Sequence, residues 1–310
     1  MDPNTVDPNK LFSVKGIVVL ITGGGTGIGL MMTKAFASNG AHKVFIVGRR
    51  RDKLESAASE FSVKGNIVPI VGDVTKKEDL VRMAEKVKSE VGYLNVLCCN
   101  SGVYPPPISA KPWEGATVEE YAKACMEQKM EDWNRHGRGE HTNIQAAGFA
   151  TNTTAVAFTI FAFLTLLSAG NEKQNCPGRM SQAIVTSSIA GYLRNPKGFS
   201  CYPITKGATT HLIKGLSGTL VPYRIRVNGL APGLFPSDLA AGLISAAGET
   251  KQDPSTEGAY SRDFIPAERV GSTADMAGTV LYMAGQAGAY LNGNITVIDG
   301  GRISQIPSTY

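Results

Sequence analysis

The chain has 310 residues, 43% of them hydrophobic and 18% charged, which suits one large domain or at most two ordinary ones. Its net charge is only +5 and its basic residues are scattered, so a nucleic-acid-binding protein is not indicated. Five cysteines without a CxxC pair are typical of a reduced protein, and four histidines without metal-ligand spacing argue against a metal site.

Strands and helices alternate along the first hundred residues. The N-terminus MDPNTVDPNKLF lacks the features of a signal peptide, so we expect a cytoplasmic protein. Apolar, β-branched runs predict strands at 17–21, 43–48, 66–73 and 94–102. Helical periodicity follows each of the first three, at 30–41, 51–61 and 76–92. This alternation predicts β-α-β units and a parallel sheet.

Residues 103–151 break this alternation. The proline-rich stretch 104–115 is predicted to be neither a helix nor an inner strand. Residues 117–134 have a helical pattern, and the polar, glycine-punctuated residues 135–148 are predicted to form an exposed excursion.

Regular elements return in the second half. The helix predicted at 153–168 contains the most apolar run, 155–167, whose 13 residues are too short to cross a bilayer. We expect it to be buried or to lie at a subunit interface, without membrane association. Strands are predicted at 181–188, 223–233 and 294–301, with helices starting at Tyr202 and spanning 273–286. Residues 234–268, between the strand at 223–233 and the helix at 273–286, are mixed in composition, and we predict that they form a closing lid.

A glycine-rich segment, TGGGTGIG at 22–29, joins the first predicted strand to the first helix. Glycines permit positive φ and let backbone N–H groups approach a pyrophosphate, which a helix N-terminus also attracts. A tight turn without a ligand is the alternative, but a strand before it and a helix after it favour a dinucleotide. The spacing differs from the common GxGxxG fingerprint.

Tyr202 and Lys206 lie four residues apart and therefore on one face of a helix. Pro203 suits the first helical turn, because an N–H there has no helical partner. A free tyrosine has a pKa of about 10, too high for efficient proton transfer at neutral pH, and the Lys206 ammonium is expected to lower it. Taken alone, the pair has a plain alternative, an exposed helix face.

Five motifs occur in order: TGxxxGxG at 22–29, NSG at 100–102, a serine ending the fifth strand, YxxxK at 202–206 and PG at 232–233. Together they resemble the classical short-chain dehydrogenase/reductase family, from about residue 15 to 301 except locally at 103–151. The style of the sequence resembles fungal members that act in secondary metabolism. The resemblance implies one domain over 1–310 with a Rossmann-like, doubly wound parallel α/β sheet of about seven strands in three α/β/α layers.

The resemblance also implies a nicotinamide dinucleotide and the residues that bind it. Asp73 and Val74 would border the adenine, Asn100, Ser101 and Gly102 the inner ribose, and Pro232 and Gly233 the carboxamide. Lys206 would hold the nicotinamide ribose, beside Tyr202. The phosphates would meet the glycine-rich segment through Thr22, Gly23, Gly25, Thr26, Gly27, Ile28 and Gly29.

The second strand ends in VFIVGRR, without the acidic residue that would bind the adenosine ribose 2′-OH. Arg49 stands there instead, with Arg50 beside it, and a planar guanidinium suits a 2′-phosphate. We therefore predict NADP(H), with Arg49 as the main discriminator; a solvated surface arginine is the alternative.

The catalytic residues implied by the resemblance are Asn152, Ser188, Tyr202 and Lys206. Tyr202 would exchange a proton with a ketone, aldehyde or alcohol during hydride transfer, Ser188 would orient the carbonyl, and Asn152 would hold a relay water. Ser187 is the alternative to Ser188, since only one of two adjacent strand residues can face the site. A helix N-cap is the alternative role of Asn152.

The distance from Asn100 to Asn152 along the chain is about twice what the resemblance leads us to expect. The extra residues within 103–151 are open to three interpretations: a lid, an oligomer contact or surface decoration. The resemblance implies a homodimer or homotetramer. A non-redox protein of the same fold, such as an isomerase, cyclase or dinucleotide-binding regulator, stays the alternative function.

Overall fold

The computed structural model describes residues 4–134, 148–194, 199–246 and 252–310. The strands within these ranges are Val18–Thr22 (β1), Lys43–Gly48 (β2), Ile67–Val71 (β3), Val96–Cys99 (β4), Gln182–Thr186 (β5), Arg226–Pro232 (β6) and Ile295–Ile298 (β7). They pair in parallel in the order β3-β2-β1-β4-β5-β6-β7. This order confirms the predicted doubly wound sheet.

Helices connect the strands and cover both faces of the sheet. Their bounds are Pro8–Leu11 (α1), Gly27–Ser38 (α2), Arg51–Phe61 (α3), Lys77–Glu90 (α4), Val118–Met126 (α5), Met130–Asn134 (α6), Ala155–Lys173 (α7), Cys201–Thr219 (α8), Ala241–Ala246 (α9) and Thr273–Ala284 (α10).

The central strands are apolar throughout because each is buried on both faces. In β1, Val19 and Ile21 pack with residues of α2 and α10 on one face. Val18 and Leu20 point to the other face and pack with residues of α4, α7 and α8. The period-two alternation of a strand thus produces two apolar layers and a three-layer α/β/α arrangement.

Helix α7 is longer than the sequence analysis predicted. A π-helical turn at Ala150–Thr154 precedes it, and the combined segment of 24 residues is long and apolar enough to cross a membrane by length and composition. The argument that the 13-residue apolar run is too short to cross a bilayer therefore does not apply to the whole helix. Val156, Ile160 and Phe163 of this helix are buried against the sheet, as in the core helix of a globular protein.

Two other segments differ from their predictions. The single helix predicted over 117–134 is two helices in the structure. The first, α5, ends with Glu127 as its C-cap, and α6 begins at Met130. The start of α5 is defined by a capping box between Thr117 and Glu120. The excursion predicted at 135–148 lies outside the described residues except for its last residue.

The segment predicted as a lid, 234–268, packs partly on itself where the structure describes it. Leu234, Tyr260 and Ile265 form a small apolar cluster with Ala240 and Val270. Residues 247–251 of this segment lie outside the described ranges. The lid role itself stays a prediction.

Candidate active site

An open cavity of about 460 Å³ lies at the carboxyl ends of the strands, where the strand order reverses between β1 and β4. Such a reversal leaves a crevice because the crossovers on its two sides run to opposite faces of the sheet. Most of the predicted site residues line it: Gly23, Gly25, Thr26, Gly27, Ile28, Arg49, Arg50, Asp73, Val74, Asn100, Ser101, Gly102, Ser188, Tyr202, Lys206, Pro232 and Gly233.

Three predicted residues, Thr22, Gly29 and Asn152, do not belong to this wall. The buried Thr22 hydroxyl accepts hydrogen bonds from the backbone N–H groups of Asn100 at 2.9 Å and Ser101 at 3.0 Å. A Cβ at Gly29 would collide with the Gly23 carbonyl oxygen. These two residues therefore shape the cavity from beneath instead of lining it.

The glycine-rich turn brings backbone close to a second loop. Gly27 begins α2 with a φ of +52°, and a Cβ there would lie 2.9 Å from the Ser237 side chain. Thr26 is the N-cap of α2, but its hydroxyl accepts from Arg50 at 3.2 Å instead of capping the helix. The positive end of the helix dipole faces this turn, which suits a phosphate.

Positive charge concentrates at the end of β2. Arg49 and Arg50 follow Gly48, the last residue of β2, and Lys53 also lines the cavity. Arg50 forms an ion pair with Asp238 at 3.3 Å across the cavity mouth. On the neighbouring loop after β3, Asp73 accepts hydrogen bonds from the Thr75 N–H and hydroxyl.

The inner end of the cavity is organised by the last residue of β5. The Thr186 hydroxyl donates to Asn100 Oδ1 at 3.1 Å, and its carbonyl accepts from Lys206 Nζ at 2.9 Å. Lys206 is buried, although its helix begins at the cavity. The Asn100 loop, β5 and α8 are thereby held in one arrangement.

Tyr202 lies in the first turn of α8, after the N-cap Ser200. Ser188 lies beside it on the cavity wall, and the Ser188 hydroxyl accepts from the Ala190 N–H at 3.1 Å. The adjacent Ser187 points the other way, and its hydroxyl donates to the Lys206 carbonyl at 3.0 Å. The structure thus brings Ser188, and not Ser187, to the tyrosine, although both serines lie beyond the end of β5 at Thr186.

Asn152 is fully buried in the π-helical turn before α7. Its Oδ1 accepts from the Val103 N–H at 2.9 Å, and its Nδ2 donates to the Val103 carbonyl and to Thr205 Oγ1, each at 3.0 Å. Asn152 is therefore not a helix N-cap, and it joins the end of the NSG loop to α8. Its role in a proton relay stays a prediction.

The comparison with known proteins decides the family. Residues 17–247 match the family model described as short chain dehydrogenase. The chain is a short-chain dehydrogenase. PhomF of Diaporthe leptostromiformis, named a short-chain dehydrogenase/reductase, is 41% identical to it over 301 residues, covering 97% of this chain and 96% of that protein. VdtF of Byssochlamys spectabilis, of the same description, is 36% identical over the full length of both chains.

Solved structures agree with the family assignment. The RhlG/NADP active-site complex of Pseudomonas aeruginosa superposes with a TM-score of 0.71 and 27% identity, over 95% of this chain and 99% of that one. As a member of this family, the short-chain dehydrogenase binds a nicotinamide dinucleotide. The glycine-rich turn at the start of α2 and the cationic end of β2 fit that group.

Electrostatics of the Tyr202 site differ from the expectation. Burial raises the pKa of Tyr202 to about 12, although the neighbouring Ser188 acts in the opposite direction. Lys206 Nζ lies 5.8 Å from the tyrosine ring centre and donates to the Thr186 carbonyl, and a lowering of the Tyr202 pKa by its charge stays a prediction. Burial also lowers the pKa of Lys206 to about 8.

Sequence reasoning missed several residues of this short-chain dehydrogenase that lie at the site. Tyr104 packs against Tyr202 with ring centres 4.7 Å apart, and its hydroxyl is hydrogen-bonded to Ser200. The signal in the sequence that could have identified Tyr104 was its position two residues after the NSG motif. The segment after the PG turn also reaches the cavity, through Phe235, Ser237, Asp238, Leu239 and Ala240. The sequence analysis placed this segment within the predicted lid but did not predict that it lines the cavity.

Proposed function

We propose that this short-chain dehydrogenase is an NADP(H)-dependent carbonyl reductase that also oxidises the corresponding secondary alcohol. The observation that carries the proposal is that Ser188 and Tyr202 lie beside each other on the wall of the dinucleotide cavity, with the Lys206 amine one turn after Tyr202 on the same helix. A phenol and a hydroxyl that converge on one point can both bind a carbonyl oxygen.

The bound nicotinamide would supply the hydride to the carbonyl carbon. Ser188 donates a hydrogen bond that orients and polarises the carbonyl, and Tyr202 gives its proton to the oxygen as negative charge develops there. A phenol with a raised pKa remains protonated at neutral pH, so it is ready to act as the acid in reduction. Lys206 then supplies positive charge close to the tyrosinate.

The main test follows NADPH oxidation with a panel of ketones and aldehydes. Tyr202→Phe should bind NADPH normally but lose about 10²- to 10⁴-fold in turnover, since it lacks the proton. Tyr223→Phe, on an exposed tyrosine, is the matched control and should retain full turnover. Normal turnover by Tyr202→Phe would refute the mechanism. Conversion of a substrate without nicotinamide consumption would instead favour the isomerase or cyclase alternative.

The preference for NADP(H) over NAD(H) is part of the proposal. It is supported by arginine in place of an acid after β2 and by the cationic cavity end formed by Arg49, Arg50 and Lys53. Arg49→Asp should remove or invert the preference in titrations with NADPH and NADH. Arg51→Asp, at an arginine paired with Glu55 outside the cavity wall, should leave it intact. An unchanged NADPH affinity in Arg49→Asp would contradict the assignment.

We also propose a cytoplasmic homodimer or homotetramer. Phe158 and Phe161 are exposed on α7, with relative accessibilities of 36% and 47%, and open space surrounds Gly215 and Gly218 on α8. Apolar and small residues on helix faces are suited to packing against another copy. Light scattering of the purified protein tests this, and a monomer at micromolar concentration would contradict it.

A further inference from the structure

Arg50, at the cationic end of the cavity, is engaged by a carboxylate of the same chain. Its Nη1 and Nη2 both donate to Asp238 Oδ2, at 3.3 and 3.4 Å, and Nη2 also donates to Thr26 Oγ1 at 3.2 Å. The two partners come from distant parts of the chain, the glycine-rich turn and the segment after β6. All three residues line the dinucleotide cavity.

The carboxylate is presented by an ordered turn. Phe235 is buried, the Ser237 hydroxyl donates to its carbonyl at 3.3 Å, and the Ala240 N–H donates to Ser237 Oγ at 3.2 Å. The close approach of Ser237 to Gly27 fixes this turn above the glycine-rich segment. Asp238 itself remains accessible to solvent, with 81% of its side chain exposed. The position of the Asp238 carboxylate opposite Arg50 is therefore set by the hydrogen-bonded turn and not by burial of its side chain.

We propose that Asp238 is a specificity-determining residue that competes with the cofactor 2′-phosphate for Arg50. This inference rests on the proposed binding of NADP(H) at Arg49 and Arg50. A phosphate dianion at this guanidinium would lie close to the carboxylate, and like charges there repel. NADPH must therefore break the Arg50–Asp238 ion pair, whereas NADH, which lacks the phosphate, need not. Asp238 weakens the affinity for the phosphorylated cofactor selectively.

The size of the effect follows from exposure. Both partners are more than half exposed, and such ion pairs contribute little, since water and salt screen them. We expect removal of the Asp238 charge to strengthen NADPH binding by about two- to fivefold at low ionic strength. The gain should shrink as salt is added.

The experiment is a set of titrations of the full-length protein and Asp238→Asn with NADPH, NADH and adenosine 2′-monophosphate. Asp238→Asn should lower the Kd for NADPH and for adenosine 2′-monophosphate about two- to fivefold, and should leave the Kd for NADH unchanged within about 1.5-fold. Asp52→Asn is the matched control: it removes an exposed charge near Arg50 but outside the cavity wall. It should change none of the three affinities by more than about 1.5-fold.

A double variant tests the route through Arg50. In an Arg50→Gln background, Asp238→Asn should no longer improve NADPH binding, because no guanidinium is left to release. A gain that persists without Arg50 would overturn the inference. So would a parallel gain for NADPH and NADH, which indicates general electrostatics, or a parallel loss, which indicates that Asp238 closes the turn over either cofactor.

These outcomes are separate from those that test the proposed function. The preference of the wild type for NADPH over NADH tests the cofactor assignment, whereas the ratio of variant to wild-type affinity tests competition by Asp238. A wild type without preference whose Asp238→Asn variant gains one would support the inference and contradict the assignment. A wild type that prefers NADPH, with an unchanged variant, would do the reverse.

Discussion

Thr205→Val removes one hydroxyl that joins Tyr202 to Asn152. In the structure, Thr205 Oγ1 donates to the Tyr202 carbonyl at 2.8 Å and accepts from Asn152 Nδ2 at 3.0 Å. Thr205 and Asn152 are both fully buried, so water cannot replace the lost partner. Valine has nearly the same shape, and one donor of the Asn152 amide is then left with no acceptor. A buried unsatisfied group costs about 1–3 kcal/mol, which is the expected fall in the free energy of unfolding.

Chemical denaturation at neutral pH and fixed protein concentration measures this change. Thr219→Val is the matched control, because the Thr219 hydroxyl bonds to the Gly215 carbonyl on an exposed helix face, and the expected change lies within about 0.5 kcal/mol. Thr205→Ser keeps the hydroxyl and should retain turnover in the assay of the proposed carbonyl-reductase activity, whereas Thr205→Val should lower it. A Thr205→Val protein as stable as the wild type would refute the argument that this buried hydrogen bond orders the site.

Three further predictions concern charge, backbone packing and helix capping. Lys206 has its pKa lowered from 10.5 to about 8 by burial, so the unfolded chain binds more protons between these values and wild-type stability should rise with pH there. Relative to Lys206→Met, the wild type should gain up to about 3 kcal/mol (10.5 − 8 = 2.5 pKa units) as the pH is raised from 7 to 10.5, and a constant difference in denaturation experiments would contradict this. Gly29→Ala, whose methyl group would meet the Gly23 carbonyl, should abolish nicotinamide binding in fluorescence titrations, whereas Gly215→Ala, with open space around it, should bind normally. Asp275 caps α10 through Ser272 and pairs with Arg269, which holds the pKa of its carboxyl well below the usual range. Asp275→Asn should therefore cost about 1–2 kcal/mol at pH 7, and the difference should begin to shrink as the pH falls below about 4 and vanish only below the lowered pKa of the folded state; a loss independent of pH would show that the charge is not responsible.

The positions of most elements could be predicted from local pattern. Continuous apolar runs such as 17–21 and 43–48 can only be buried on both faces, so a parallel sheet covered by helices followed directly. The predicted lengths of the helices were less accurate than their positions. Helix α7 extends beyond its apolar run, because its polar residues on the outer face do not interrupt a helix whose inner face is packed on the sheet.

The fold, the family and the residues at the carboxyl ends of the strands could all be predicted from the sequence, because parallel connections bring those ends to one edge of the sheet whatever the loop details. The protonation and hydrogen bonding of the groups there depend on the folded structure. Burial raises the pKa of Tyr202 and lowers that of Lys206, and both depend on neighbours from distant parts of the chain. The contact between Arg50 and Asp238 joins positions 188 residues apart. Hydrogen bonds and desolvation depend on distances in space, and no local pattern of residues encodes those distances.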